Sequence, residues 1–493
     1  MIRSCSARSA PLTRRQVLHR LAATSAAFAL WDPRVAQPRA REILIRGGRI
    51  VNADGTRTGD LRIIGETISE IGGRLTPGPD AQVIDASGKL LFPGGIDPHT
   101  HLQPAFVDDL TSGSMAALAG GITTIGTFAG TRQGETVLQA LERLGALVRT
   151  DAIADVILHA TTWPPTPELR AAIPTLAEHG QPSFKIYMTR ADFGAHMAEM
   201  IRLLESARDA GVVTLIHCED GAMLAAAARG LESEGRTSLS NYGASRPVIA
   251  ELAATQQAAA LCEHTGAPMY VVHLSSARAL DACRAARQRR APLHVETRPL
   301  YLHLTSERMS GPDAPLFVGQ PPLRESADAD ALWRGLIDGS IDVLATDHAP
   351  WTRAQKLDST LTVTRLRPGV SNLQVMLPMY FSEAVGKRGM SLERFVATTS
   401  TNAARIFGLF PKKGALRVGS DADVVIWDPR RRDTVRAADD HSKSDYSVYE
   451  GWTVTGWPDL TIRRGEIVAE RSTVVGKAGS GRLVARERWI APK

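Results

Sequence analysis

"MAEMIRLLESARDAGVVTLIHCED", residues 197–220, decides how the middle of the chain is read. The first half is an alanine-containing helical stretch that stops at Gly211. The second half is a short apolar, strand-like run that ends in His217, Cys218, Glu219 and Asp220. The same unit recurs. "GITTIGTFA" (121–129), "DVILHATT" (155–162), "SFKIYMT" (183–189), "MYVVHLSS" (269–276), "PLHVETRPLYL" (292–302) and "IDVLATDHAP" (341–350) each read as four to eight strand residues closing on polar ones. Helices such as "ELAATQQAAALCEHTG" (251–266) and "ARALDACRAARQRR" (277–290) separate them. Regular strand–helix alternation argues a parallel α/β arrangement. Roughly eight units over about 300 residues predict a (β/α)8 barrel. A doubly wound open sheet is the alternative, weakened because no G-x-G-x-x-G follows the first strand.

Both ends of the chain read differently. "REILIRGGRIVNADGTRTGDLRIIGETISEIG" (41–72) alternates apolar and polar residues between Gly, Asn and Asp turns, the pattern of short hairpins. "GALRVGSDADVVIWDP" (414–429) and "LTIRRGEIVAE" (460–470) repeat that pattern. The expected organisation is therefore a β-sandwich from residues 41–92 and 409–475, a barrel at 93–408 between them, and a C-terminal tail at 476–493.

The 493 residues carry a formal net charge of +6, concentrated at the start. Residues 1–41 contain eight arginines and one acid, Asp32, for +7, which leaves −1 on the rest. The body thus offers no electrostatic case for nucleic-acid binding. Residues 1–40 read as a leader: Arg14 and Arg15 after Thr13, then a short apolar run. This resembles a twin-arginine export signal and predicts a periplasmic protein, or a cytoplasmic one if the leader does not function. The apolar run is too short for a stable membrane span. Cys5, Cys218, Cys262 and Cys283 lack the spacing of a disulfide framework.

The chemistry begins at "FPGGIDPHTH" (92–101). In a strand, residues i and i+2 share a face, so His99 and His101 point the same way, about 6–7 Å apart along the strand. His217 and His273 end later strands, Lys185 lies within one, and Asp347-His348 follows another. A barrel builds its active site at the C-terminal ends of its strands. Packing alone does not explain so many buried polar strand ends, because each needs a partner.

Taken together, "FPGGIDPHTHL", "SFKIYM", "YVVHLSSARAL", "ETRPLYL", "PPLR", "TDHAP" and "STNAARIFGLFPKKGALRVGSDADVVIWDP" resemble the hydantoinase/dihydropyrimidinase branch of the cyclic amidohydrolases. The likeness spans residues 42–475 in the same order. It implies two divalent metal ions, one held by His99, His101 and Asp347 and the second by His217 and His273. It implies that Lys185 bridges them as N6-carboxylysine, since an ammonium offers no acceptor to a metal. Zinc suits imidazole and carboxylate ligands; manganese and cobalt suit them too. Asp347 is expected to double as proton shuttle, with His348 supporting rather than ligating. The resemblance also implies a homo-oligomer, a tetramer in the family, acting on a small cyclic amide or ureide.

The substrate side departs from the family pattern. A tyrosine usual five residues after the lysine is Arg190 here, while Tyr187 is two residues after it. The family's substrate asparagine falls at Arg365, and its serine before Pro-Pro-Leu-Arg becomes Gln320. Arg190, Gln320 and Arg365 are thus the expected substrate residues, with Arg190 also expected to stabilise an oxyanion. Two forked cations suggest an anionic ring substrate. The competing readings are a non-catalytic scaffold relative and a one-metal deacylase or deaminase on a linear substrate.

Overall fold

The computed structural model describes residues 41–102 and 104–491. The eight strands of the central sheet are β6 (Gly95–Thr100), β7 (Ile122–Gly130), β8 (Asp155–Thr161), β9 (Ser183–Tyr187), β10 (Val213–His217), β11 (Met269–Val271), β12 (Leu293–Thr297) and β13 (Val343–Leu344). They are parallel and hydrogen-bonded in sequence order from β6 to β13. A parallel bridge between Thr100 and His348 draws the two edges together, and the His101 amide donates to the His348 carbonyl at 2.7 Å. The result is a nearly closed (β/α)8 barrel. Strand alternation sends Ile96, Ile157, Leu215, Tyr270 and Val343 into its interior, where they pack with Phe407.

A second sheet lies outside the barrel. Its strands are β1 (Glu42–Asn52), β2 (Gly55–Ile64), β3 (Thr67–Gly72), β4 (Gln82–Asp85) and β5 (Leu90–Pro93) from the N-terminal side. From the C-terminal side come β14 (Val424–Thr434), β15 (Thr453–Arg463), β16 (Glu466–Glu470) and β17 (Thr473–Val474). β5 pairs with both β1 and β14, so the two ends of the chain share one sheet. The Pro93-Gly94-Gly95 link carries the chain from this sheet into β6. A Cβ on Gly94 would come within 2.1 Å of the Thr123 hydroxyl, so only glycine fits.

The segment expected as a simple tail does structural work. Val484 donates to the Val156 carbonyl at 2.8 Å, and buried Arg486 donates to the Leu158 carbonyl at 2.7 Å. The Trp489 amide reaches Gly211 at 2.8 Å. Nearby, Asp155, Asp421 and Asp423 surround Lys413 Nζ at 2.7, 3.1 and 2.6 Å. Lys413 fills this acidic cluster, making it an ion-paired joint between barrel and sheet. Among the described residues no helix is long and apolar enough to cross a membrane. The leader at 1–40 lies outside the described residues.

Candidate active site

His99, His101, Lys185, His217, His273 and Asp347 come from five different strand ends and line one cavity of about 120 Å³. β6 delivers the first two from one face, as i and i+2 require. Their ring centres are 5.4 Å apart, and the His217 and His273 rings are 4.5 Å apart. His273 and Asp347 take left-handed backbone conformations, with φ of 38° and 47°. Such conformations are costly for residues with a side chain and concentrate at functional sites.

The hydrogen bonds say which histidine nitrogens are spoken for. His99 Nδ1 lies 2.8 Å from Glu296 Oε1, which leaves Nε2 facing Asp347 Oδ1 at 3.3 Å. His101 Nε2 is 2.9 Å from the same oxygen. His217 Nε2 is 2.7 Å from Glu219 Oε2, which leaves its Nδ1 for the cavity. His273 Nδ1 is buried without a partner among the described residues. Burial holds His99, His217 and His273 below the ordinary imidazole range, so their lone pairs stay available. Burial alone would raise the Asp347 carboxyl, but Arg298 and the two histidines hold it well below the usual range.

Lys185 is 1% exposed. Its Nζ lies 5.3 and 5.2 Å from the ring centres of Phe128 and Tyr187 and makes no hydrogen bond or ion pair among the described residues. Burial lowers its pKa to about 8. The donor set fits a divalent-metal centre: neutral imidazoles, a carboxylate stripped of its proton, and an amine without a partner.

Residues 90–468 match the Amidohydrolase family. A D-phenylhydantoinase of Escherichia coli O1:K1 / APEC is 36% identical over 458 residues, covering 91% of this chain and 99% of the relative. This chain belongs to the amidohydrolase family, in its hydantoinase/dihydropyrimidinase branch. Solved structures agree. The D-hydantoinase (dihydropyrimidinase) from Thermus sp. superposes with a TM-score of 0.87 at 34% identity, covering 90% of this chain and 99% of that one. The L-hydantoinase (dihydropyrimidinase) from Arthrobacter aurescens gives 0.82 at 28% identity, covering 90% and 99%.

In this amidohydrolase the expected substrate residues divide. Gln320 lines the cavity, together with Phe106, Tyr187, Pro368 and Gly369. Arg190 and Arg365 do not. β9 ends at Tyr187, and three residues later Arg190 is exposed with its guanidinium 5.9 Å from the Trp163 ring centre. Arg365 is exposed on the loop that carries Pro368 and Gly369. The position inside the cavity that was assigned to Arg190 is occupied by Tyr187, because the side chain of a strand's last residue still faces inward while a turn residue need not. His348, expected to support rather than to ligate, is fully buried. Its Nε2 is 2.8 Å from Asp108 Oδ2, and its Nδ1 accepts from the Asn372 amide at 3.3 Å.

Three charged residues that no ligand pattern signals hold the candidate ligands in place. Glu219, which pairs with buried Arg246, fixes His217. Glu296 fixes His99 and also accepts from the His273 amide at 2.8 Å. Arg298 pairs with Asp347. The available signal is charged residues at strand spacing: Glu219 two after His217, and Glu296 and Arg298 two apart at the end of β12.

Proposed function

We propose that this amidohydrolase opens a cyclic amide or ureide by hydrolysing a ring C–N bond at a binuclear metal centre in which N6-carboxylated Lys185 bridges two divalent ions. The convergence of the six ligand-type side chains on one cavity carries this reading, and the hydantoinase names of the relatives support it. Bound there, two ions such as zinc would supply an acidified water and a Lewis acid for the ring carbonyl.

The chain's own residues supply the rest. His99, His101 and Asp347 Oδ1, whose ligand atoms lie within 4.8 Å of one another, would hold one ion, and His217 Nδ1 and His273 would hold the other. Only a neutral amine adds carbon dioxide, and a pKa near 8 keeps part of Lys185 in that form at neutral pH. The addition forms an N–C bond, releases one proton and leaves an anion with two oxygens. Asp347 accepts the proton of the attacking water and returns it to the departing ring nitrogen. Burial raises the Tyr187 hydroxyl's pKa, so it stays protonated and donates to the carbonyl oxygen as charge develops. Gln320 offers an amide donor and acceptor to the ring edge.

Purified protein should contain close to two divalent ions per chain and should open at least one ring in a panel of hydantoins, dihydropyrimidines and related ureides. Lys185→Ala should lose metal and activity together, and a small carboxylic acid should restore part of both. Full activity of Lys185→Ala without added acid would remove the bridging role.

The anionic substrate remains the finer part of the proposal. Arg190 and Arg365 each lie three residues from a residue that lines the cavity, Tyr187 and Pro368, and an anionic substituent would meet them outside the ring pocket. A pair of ring substrates differing only in one carboxylate tests this. The anionic member should show the higher kcat/KM, and Arg365→Gln should erase that advantage; a preference for neutral apolar hydantoins would end the idea. Export through the Arg14-Arg15 leader and assembly as a tetramer complete the reading. Arg14→Lys with Arg15→Lys should hold the precursor in the cytoplasm, and light scattering should give four chains.

A further inference from the structure

Strand β12 contributes no side chain to the cavity wall, yet it grips ligands on both sides of it. Glu296 and Arg298 are i and i+2 and turn the same way. Glu296 Oε1 holds the His99 ring and the His273 amide, each at 2.8 Å. Arg298, with no exposed surface, donates through Nη1 to Asp347 Oδ2. Its Nε and Nη2 are buried without partners among the described residues, and its guanidinium lies 5.3 Å from the Tyr301 ring centre. Asp347 is its one ion-pair partner among the described residues. Burying a guanidinium with two nitrogens unpaired is expensive, so the one bond that it makes must matter.

We propose that Arg298 is a positioning residue for the metal centre: by occupying Asp347 Oδ2 it leaves a single oxygen, Oδ1, facing His99 and His101. The inference rests on the binuclear reading given above. Asp347 Oδ1 already lies 2.9 Å from His101 Nε2 and 3.3 Å from His99 Nε2, where those three atoms can share one ion. With Oδ2 held by Nη1 of a buried guanidinium, the carboxylate is kept from swinging both oxygens onto that ion. Arginine suits this task because its planar guanidinium has a fixed donor geometry, which a lysine ammonium lacks.

A cation beside a metal site also repels the ion. Orientation and charge therefore act in opposite directions, and two substitutions separate them. Arg298→Lys keeps the charge and loses the fork. It should weaken binding of the ion held by Asp347 by about 10–100-fold, the range for removing a ligand's supporting partner, and leave the other ion in place. Arg298→Gln loses the charge and keeps a single donor, and should weaken the same ion by about 10-fold. Chelator competition, followed by metal analysis, reads the two ions separately. The cobalt-substituted protein adds an absorption change confined to one site. In turnover, kcat should fall in both variants while KM stays near the wild-type value.

Wild-type affinity and kcat in Arg298→Lys would overturn the inference. So would an affinity in Arg298→Gln equal to or above wild type, which would make Arg298 a charge and nothing more. Thermal unfolding checks that each variant is folded; if the lysine variant is not, the glutamine variant's affinity decides. A wild-type protein holding fewer than two ions would defeat the binuclear reading instead, an outcome visible before either variant is made.

Discussion

Asp347 commits its two oxygens to different neighbours, Oδ1 to His101 and His99 and Oδ2 to Arg298. An asparagine there fits the space, but its amide neither ligates as an anion nor accepts a proton. Asp347→Asn should lower kcat by roughly 10²–10⁴, the usual contribution of a positioned acid–base group. Steady-state kinetics check this: a near-normal kcat with a raised KM would make Asp347 a binding residue instead. At this scale the candidate ligands are legible because metal chemistry restricts residue type and strands restrict spacing. His99-x-His101, His217 at the end of β10 and His273 two residues past β11 show both restrictions in the bare sequence. Arg190 misled for a complementary reason. Its distance from Lys185 along the chain suggested the cavity, but direction in a turn depends on local backbone, which residue type does not encode. Arg298 passed unnoticed because its partner, Asp347, is 49 residues away in sequence.

Among elements, the long apolar runs gave the barrel strands, and the shortest strand shows what a run cannot tell. "IDVLATDHAP" reads as a full strand, yet β13 is only Val343–Leu344. Asp347 leaves the extended conformation, with φ of 47°, and the Thr346 hydroxyl turns to buried Asp97. Function at the strand's end overrides the ladder. The loops over the cavity are organised by a residue that no pattern signalled. Lys356 is 1% exposed, and its Nζ donates to the carbonyls of Val318 and Arg367, both at 2.8 Å, and of Gly369 at 3.0 Å. It ties the segment before Gln320 to the loop bearing Pro368 and Gly369, both of which line the cavity. Lys356→Met would leave the Arg367 and Gly369 carbonyls unpaired, while the Val318 carbonyl keeps the Gly369 amide at 2.9 Å, at about 1–3 kcal/mol for each one that finds no water. The expected result is a lower Tm and a KM raised several-fold with kcat within about three-fold, since the lysine shapes binding and touches no reacting atom. Equal losses in kcat and kcat/KM would place Lys356 in the chemical step.

The whole molecule depends on holding the two-ended sheet against the barrel, and the Lys413 joint does this with charge. Asp155 opens β8 of the barrel, Asp423 precedes β14 of the sheet, and Arg464 follows β15 and reaches Asp155 at 3.1 Å. That the two ends form one sheet was legible from their matching hairpin patterns. The joint was not, because Asp155, Lys413 and Asp423 read as ordinary charged residues until the fold buries them together. Lys413→Met leaves three close carboxylates with one cation fewer, and breaking a buried ion pair from one side costs about 3–5 kcal/mol. The cost should depend on pH in a definite direction. Burial would raise the Asp155 carboxyl, but Lys413 and Arg464 together hold it below its ordinary value. A carboxyl lowered on folding adds stability above its unfolded pKa, about 3.9, and loses it as pH falls toward the folded value. Asp421 moves the other way, raised by burial, and takes up its proton first. Protonated carboxyls need no cation, so acid removes the reason for Lys413. In Lys413→Met burial is no longer opposed by that cation, so the cluster takes up protons above pH 4, and the Tm gap between wild type and Lys413→Met should be widest near pH 7 and narrow toward pH 4 in calorimetry of the metal-loaded proteins. A gap that stays constant across that range would mean that Lys413 stabilises the joint by packing its aliphatic stem, with its charge making no net contribution.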